Sequence, residues 1–483
     1  MQTISRRGAL TAAALSAWPW AAQRSTSAST YAGRLISLPG ARTTTTATVS
    51  YLVTGGATSI SLAYSATATK VGIPTGDVGY VPGIIDADSY VQHTATGLLP
   101  DTRYYARLST SPGVFVGPRI RFRTNAVGAF TRRFVYGSCQ NNLKANPVAV
   151  GNTDPIQLAW GDMQAYDPDL GWFTGDYGYW GSALKATDPD TRHLGCYEAQ
   201  TVKFDEMRSA MSQWCWDQMA DDHEISGNNG NSGNSMIRQT NIIAMRRFFA
   251  LHPLADPNEP KRSAYGSYLL NPRIRVVLLD AESMDRTPGE APDDSAKTFL
   301  GAPQDAWLRD LLVQPAALNI LICGKSFLGE SDTGLDIDKI WCYKTWRQSY
   351  ADFLSSNLTL DGLPINTVWM GGDRHANGYC SAPNNPYRTG AVWLGSGTSQ
   401  HSLPLVPGES YDWSYGFSTE LRQPVMQYLQ GTISDDGAGT ITLSGHSREV
   451  HDTWDFTNHV QTDPAAWEIT DGGSASDTWQ YSS

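Results

Sequence analysis

The sequence predicts a layered α/β (α+β) sheet sandwich flanked by helices, preceded by a small all-β sandwich. Three observations carry this. From about residue 30 to 125 the chain shows only short period-two runs and turn signals. From Arg132 onward, continuous apolar runs such as RIRVVLLD and LNILICG alternate with stretches whose apolar residues recur every three or four positions. After about residue 405 the β and turn signals return, with TISDDGAGTITLSG reading as a hairpin. A chain of 483 residues also exceeds one ordinary core, so two or three domains are expected.

The first segment, residues 1–30, reads as an export signal. Ser5, Arg6 and Arg7 precede GALTAAALSAWPWAA and a polar Ser/Thr run, the pattern of a twin-arginine signal. The apolar stretch is short of the ~20 residues a membrane span needs, so the mature protein is expected to be secreted or periplasmic without a transmembrane segment. That route carries folded proteins and suits a centre loaded before crossing.

Residues 31–127 follow as the β sandwich. TTTTATVSYLV and TSISLAYSA alternate at period two across a Gly-Gly turn. HTATGLLPDTRYYARLST then resembles the corner of a fibronectin type III-like domain, with Tyr104 or Tyr105 tying the turn by its hydroxyl. RIRFRT supplies a last strand, and Asn125–Gly128 reads as the linker.

Residues 128–483 form the larger domain. KFDEMRSAMSQWCWDQM, TNIIAMRRFFALHP and PQDAWLRDLLVQ read as its helices. The polar tail TDGGSASDTWQYSS reads as mobile. Six cysteines in an exported chain permit disulfides. Cys196 and Cys215 pair reasonably by position, Cys323 reads as a buried thiol, and Cys139 belongs outside any bridge. A net charge of −11 disfavours nucleic acid as a partner.

Four segments of the larger domain carry the chemistry: FVYGSC to Cys139, FTGDYGYW with Asp176 and Tyr179, MADDHE with Asp221, Asp222 and His223, and VWMGGDRH with Asp373, Arg374 and His375. Three of them end apolar runs that read as buried strands, where α/β folds present their functional loops. A carboxylate can bridge two cations, a phenolate suits ferric iron, and a metal stabilises a thiolate. Adjacent carboxylates repel each other and call for a cation. The Gly-rich stretch after Glu224, with Asn228 and Asn229, suits calcium. His223 can give a proton to a leaving oxygen. Each segment alone could be an ordinary turn, an acidic loop or a surface ion pair; four together indicate a site for more than one cation.

On these segments the chain resembles the alkaline phosphatase D family of secreted metallophosphoesterases, from about Phe134 to Asn377. LGAPQDAWL at Leu300–Leu308 adds a further match. The resemblance implies a metallophosphoesterase-like sheet sandwich. It also implies Fe3+ on Cys139, Asp176 and Tyr179 with Ca2+ nearby, the metal set being completed by Asp221, Asp222, Asn229 (or Asn228), Asp373 and His375. The expected reaction is hydrolysis of a small phosphoester or phospholipid, a metal-bound hydroxide attacking phosphorus in line. His223 is the candidate general acid and Arg374 a candidate phosphate contact. Two departures stand out. Ala220 replaces the family's usual Trp before the double aspartate, and Asp280-Ala281-Glu282 replaces its Asp-x-Arg, with Arg286 following. The acidic Glu282 would disfavour a monoester dianion, which keeps a phospholipase D-type diesterase as the alternative; the 16 Trp and 22 Tyr could serve a choline or lipid head group but read first as core and sandwich packing. A non-catalytic, calcium-dependent envelope binding protein is the alternative from another class.

Overall fold

A computed structural model describes residues 36–52, 59–67, 79–84, 90–111, 114–140, 155–180, 190–202, 205–225, 235–257, 264–328, 339–375, 377–395, 415–416, 426–451, 454–455, 460–461 and 468–481. Residues 1–30, read above as an export signal, and both Asn228 and Asn229 lie outside them.

Strands Ile274–Leu279, Leu318–Lys325, Thr367–Gly372 and Ala391–Leu394 are buried at every position. Such continuous apolar runs suit parallel strands covered on both faces, and these four do pair in parallel in that order. Antiparallel Gly266–Asn271 adds one edge. Gly378–Cys380 and Tyr415–Gly416 complete a seven-stranded sheet beyond Ala391–Leu394. A six-stranded sheet runs Cys215–Gln218, Leu170–Phe173, Phe130–Gly137, Met426–Asp435, Thr440–His451 and Glu468–Gln480, its first three strands parallel.

The two sheets share one core. Phe134, Trp172, Leu429 and Leu443 meet Val276, Ile320, Met370 and Trp393 in a single buried cluster. Burying each such side chain contributes about 1.5–3 kcal/mol. Helices Pro155–Ala165, Asp205–Met211 and Ser235–Phe248 cover the outside of the six-stranded sheet, and Ala302–Leu312 and Lys344–Ser356 cover the other. The result is the expected α/β sandwich flanked by helices. Among the described residues no helix is long and apolar enough to cross a membrane.

The LGAPQDAWL motif now has a physical account. Gln304 is buried at the start of its helix, and its amide accepts from the Asp280 N–H and donates to the Asp280 and Leu300 carbonyls. It clamps a strand end facing the site.

Three expectations are corrected. The helix read across KFDEMRSAMSQWCWDQM covers only Asp205–Met211; Cys215–Gln218 is a strand. Its Trp214 and Trp216 rings pack against Gly171 on the neighbouring strand, so packing overrides the local helical spacing. The tail is the edge strand Glu468–Gln480, along which Asp477 accepts from Tyr379 Oη (2.6 Å) and Trp393 Nε1 (3.0 Å). All six cysteines are thiols, so Cys196 and Cys215 form no bridge.

Ahead of this body, seven strands among the described residues form a three-stranded and a four-stranded antiparallel sheet. Tyr104 Oη accepts the Leu99 N–H at 2.8 Å, the tie expected at that corner. The region is fastened to the larger body. Arg121 pairs with Asp167 and Arg103 with Asp169. At Asn125–Gly128 the chain is pinned to Leu269 and Leu270.

Candidate metal centre

The parallel strands of both sheets end on one rim. Cys139 follows Phe130–Gly137, Asp176 follows Leu170–Phe173, Asp221 follows Cys215–Gln218, and Asp373 follows Thr367–Gly372. Seven described non-glycine residues have positive φ, and four of them are Cys139, Asp176, Asp373 and His375. That conformation is costly for L-residues and gathers where a site requires it. Gly175, at φ +109°, lets the Asp176 turn abut Asp221: a Cβ there would come within 2.5 Å of the Asp221 Cβ.

The side chains converge. The Cys139 thiol donates to Asp176 Oδ2 at 3.5 Å, and Tyr179 Oη donates to the same oxygen at 3.3 Å. Tyr179 Oη also lies 3.1 Å from His375 Nε2. Three groups offer ligand atoms within 4.8 Å of one another: Cys139, Asp176 and His375; Asp176, Asp222 and His223; and Asp176, Asp221, Asp222 and Asp373. Asp176 belongs to all three, as a bridging carboxylate must. His223 is half-buried, its ring 3.9 Å from that of Tyr179. Arg374 stands over the Trp341 ring, its guanidinium carbon 5.2 Å from the centroid.

Electrostatics test whether cations fit here. Burial pushes Asp176 well above the usual carboxylate range, and neighbouring Asp222, Cys139 and Asp221 push it further. Burial also raises Asp221, against the pull of Lys325. For Asp373 burial is outweighed by Lys325 and Lys339, which hold it below the ordinary value. Burial lowers His223, opposed by Asp222. Asp221 Oδ2 is buried and accepts no hydrogen bond from the described residues. Excess buried carboxylate beside a thiol and a phenol fits a thiophilic or ferric ion next to a hard divalent one.

Two residues here, Lys325 and Lys339, escaped the sequence reading, and Glu224, named there within the DDHE segment, had no role of its own. Glu224, fully buried, accepts the Asp176 and Asp221 N–H groups on Oε2 (3.1 and 2.9 Å) and the Gly178 N–H on Oε1 (3.1 Å). It thereby braces two ligand turns against each other. Lys325 and Lys339 enter the acidic group as cations. The one available signal was a lysine closing the apolar run LNILICGK. The departure at Glu282 is also resolved: it is buried and paired with Arg286 at 2.8 Å, so its charge is compensated.

Residues 134–393 match the model of the PhoD-like phosphatases. The solved structure of PhoD superposes with a TM-score of 0.67 at 16% identity, covering 92% of this chain and 90% of that one. A second match is the sensor domain of the anti-sigma factor RsgI4 in Pseudobacteroides cellulosolvens. It covers 20% of this chain and 99% of that one, at 20% identity and a TM-score of 0.16. No curated protein matches the chain in sequence.

Proposed function

The chain belongs to the PhoD-like phosphatase family, and from that premise we propose that it is a metal-dependent hydrolase of small phosphoesters or phospholipids. The observation that carries this is the convergence of Cys139, Asp176, Tyr179 and His375 with Asp221, Asp222 and Asp373 on one rim. Fe3+ is assigned to Cys139, Asp176 and Tyr179, with His375 beside them. Ca2+ is assigned to the carboxylate side, with Asp176 shared and Asp222 and Asp373 near; Asn229 and Asn228 lie outside the described residues. Cations bound here would lower the pKa of water and neutralise charge on the phosphoryl oxygens.

The chain's own groups divide the remaining work. Glu224 holds the two ligand turns in register. His223, next to Asp222 and against Tyr179, is assigned as the proton donor to the leaving oxygen. Its lowered pKa makes it a stronger acid once protonated. Arg374, between Asp373 and His375 and with its guanidinium over the Trp341 ring, is assigned as the phosphate contact. With Glu282 neutralised by Arg286, its charge no longer weighs for a diester over a monoester. Export by the twin-arginine route, supported by Arg6 and Arg7, belongs to the same proposal.

The test is hydrolysis of a chromogenic phosphomonoester and the matching diester, side by side, on protein isolated without chelator. Turnover abolished by chelation and restored by calcium and iron is expected, and the faster ester identifies the substrate class. Protein that carries its metals and turns over neither substrate would overturn the proposal.

A further inference from the structure

The carboxylate group contains a positive charge that belongs to the chain itself. Lys325 ends the strand Leu318–Lys325 and its side chain is only 1% exposed. Its Nζ lies 2.7 Å from Asp221 Oδ1, 3.4 Å from Asp373 Oδ1 and 3.6 Å from Asp222 Oδ1. Those are three of the four carboxylates of one candidate cation group, the fourth being Asp176. Lys339 closes the other side of Asp373, its Nζ 2.5 Å from Oδ2.

The backbone holds this lysine in position. Its carbonyl accepts the Trp369 indole N–H at 2.9 Å, and it pairs with Gly372 across a register shift in the sheet. A compact ammonium among three carboxylates supplies there the charge that a small cation would. Displacing it would leave an ammonium buried without its partners, which is strongly unfavourable.

We propose that Lys325 is a built-in cation, holding Asp221 and Asp373 together in place of one divalent ion. This rests on the metal-dependent reading above and sharpens it. The calcium group given above narrows to Asp176 and Asp222: both oxygens of Asp373 face lysines, and Asp221 is a lysine partner instead of a ligand.

The test counts calcium bound per chain by equilibrium dialysis, and iron by elemental analysis, in the full-length protein and in Lys325→Met. The methionine variant should bind one more calcium per chain, and added calcium should raise its melting temperature more than that of the wild type. Equal calcium counts would overturn the proposal. Asp221→Asn covers the case in which the methionine variant does not fold. It should leave the calcium count unchanged while Asp222→Asn lowers it; a lower count in Asp221→Asn would also overturn the proposal. Because no substrate is used, these counts stand apart from the hydrolase reading. A chain that binds as expected yet hydrolyses nothing refutes that reading alone.

Discussion

The strand Cys215–Gln218 carries one acid in its interior and leads to another just beyond its end, and the two are treated oppositely. Asp217 is matched from within the protein. Its Oδ2 accepts from Tyr268 Oη at 2.5 Å and from Arg42 at 3.3 Å, and His252 lies 3.5 Å from Oδ1. Around it, His252 stacks on Tyr268 and the Trp172 indole donates to the Tyr268 hydroxyl. One carboxylate faces one guanidinium. At the rim, Asp176, Asp221, Asp222 and Glu224 are buried beside Asp373, and among the described residues the lysines paired with this group are Lys325 and Lys339. A buried acid alone is therefore no sign of a site. A surplus of buried acids is, because such a surplus calls either for protons or for positive charge from outside the chain.

The comparison can be broken first at Arg42. Arg42→Met should leave the Asp217 charge buried without its guanidinium and cost about 3–5 kcal/mol of stability. Chemical denaturation should show this loss while iron content per folded chain stays at the wild-type value. Lost iron with unchanged stability would mean that the two regions are not distinct. At the rim, Asp176→Asn removes the carboxylate common to all three ligand groups. Hydrolysis should fall by more than about 100-fold, beyond the usual effect of losing a supporting partner, with the circular dichroism spectrum unchanged.

A pH experiment sharpens the contrast. Burial lowers the His252 pKa from 6.5 to about 3, more strongly than neighbouring Asp217 can raise it. The unfolded chain therefore takes up a proton that the folded chain refuses between those values, so stability is lost as pH falls below 6.5. In chelator-treated protein this group should remove about 2 kcal/mol between pH 7 and pH 5. His252→Phe, which keeps the stacking, should flatten the urea midpoint over that range by the same amount. An unchanged slope would show that His252 is not held neutral. The smallest effect belongs to the β region, where no such cluster occurs among the described residues. Tyr104→Phe removes the acceptor of the Leu99 N–H and should cost about 1 kcal/mol, without altering turnover or bound metal.

Much of the site was legible because its residues announce strand ends: an apolar run, a glycine, then a ligand. That pattern located Cys139, Asp176 and Asp373. It failed before Asp221, since SAMSQWCWDQM has helical spacing and only the Gly171 gap on the adjacent strand makes room for Trp214 and Trp216. The tail misled for a related reason. Its Gly and Ser composition says nothing of a partner, yet Thr440–His451 offers a free ladder and Tyr379 and Trp393 offer donors to Asp477. A paired Cys196 and Cys215 was a matter of spacing, and spacing does not report direction.

By itself the sequence determined the layered fold class, the order of β region and α/β body, and the donor types at the strand ends, because periodicity and donor type are local properties of the chain. The tertiary structure alone decided what faces those ligands. It brought Glu224 under two turns and Lys325 and Lys339 from the far side of the rim into the acidic group. It also set Arg286 against Glu282. Charge balance in a buried site depends on distances across layers, and those exist only once the two sheets have packed.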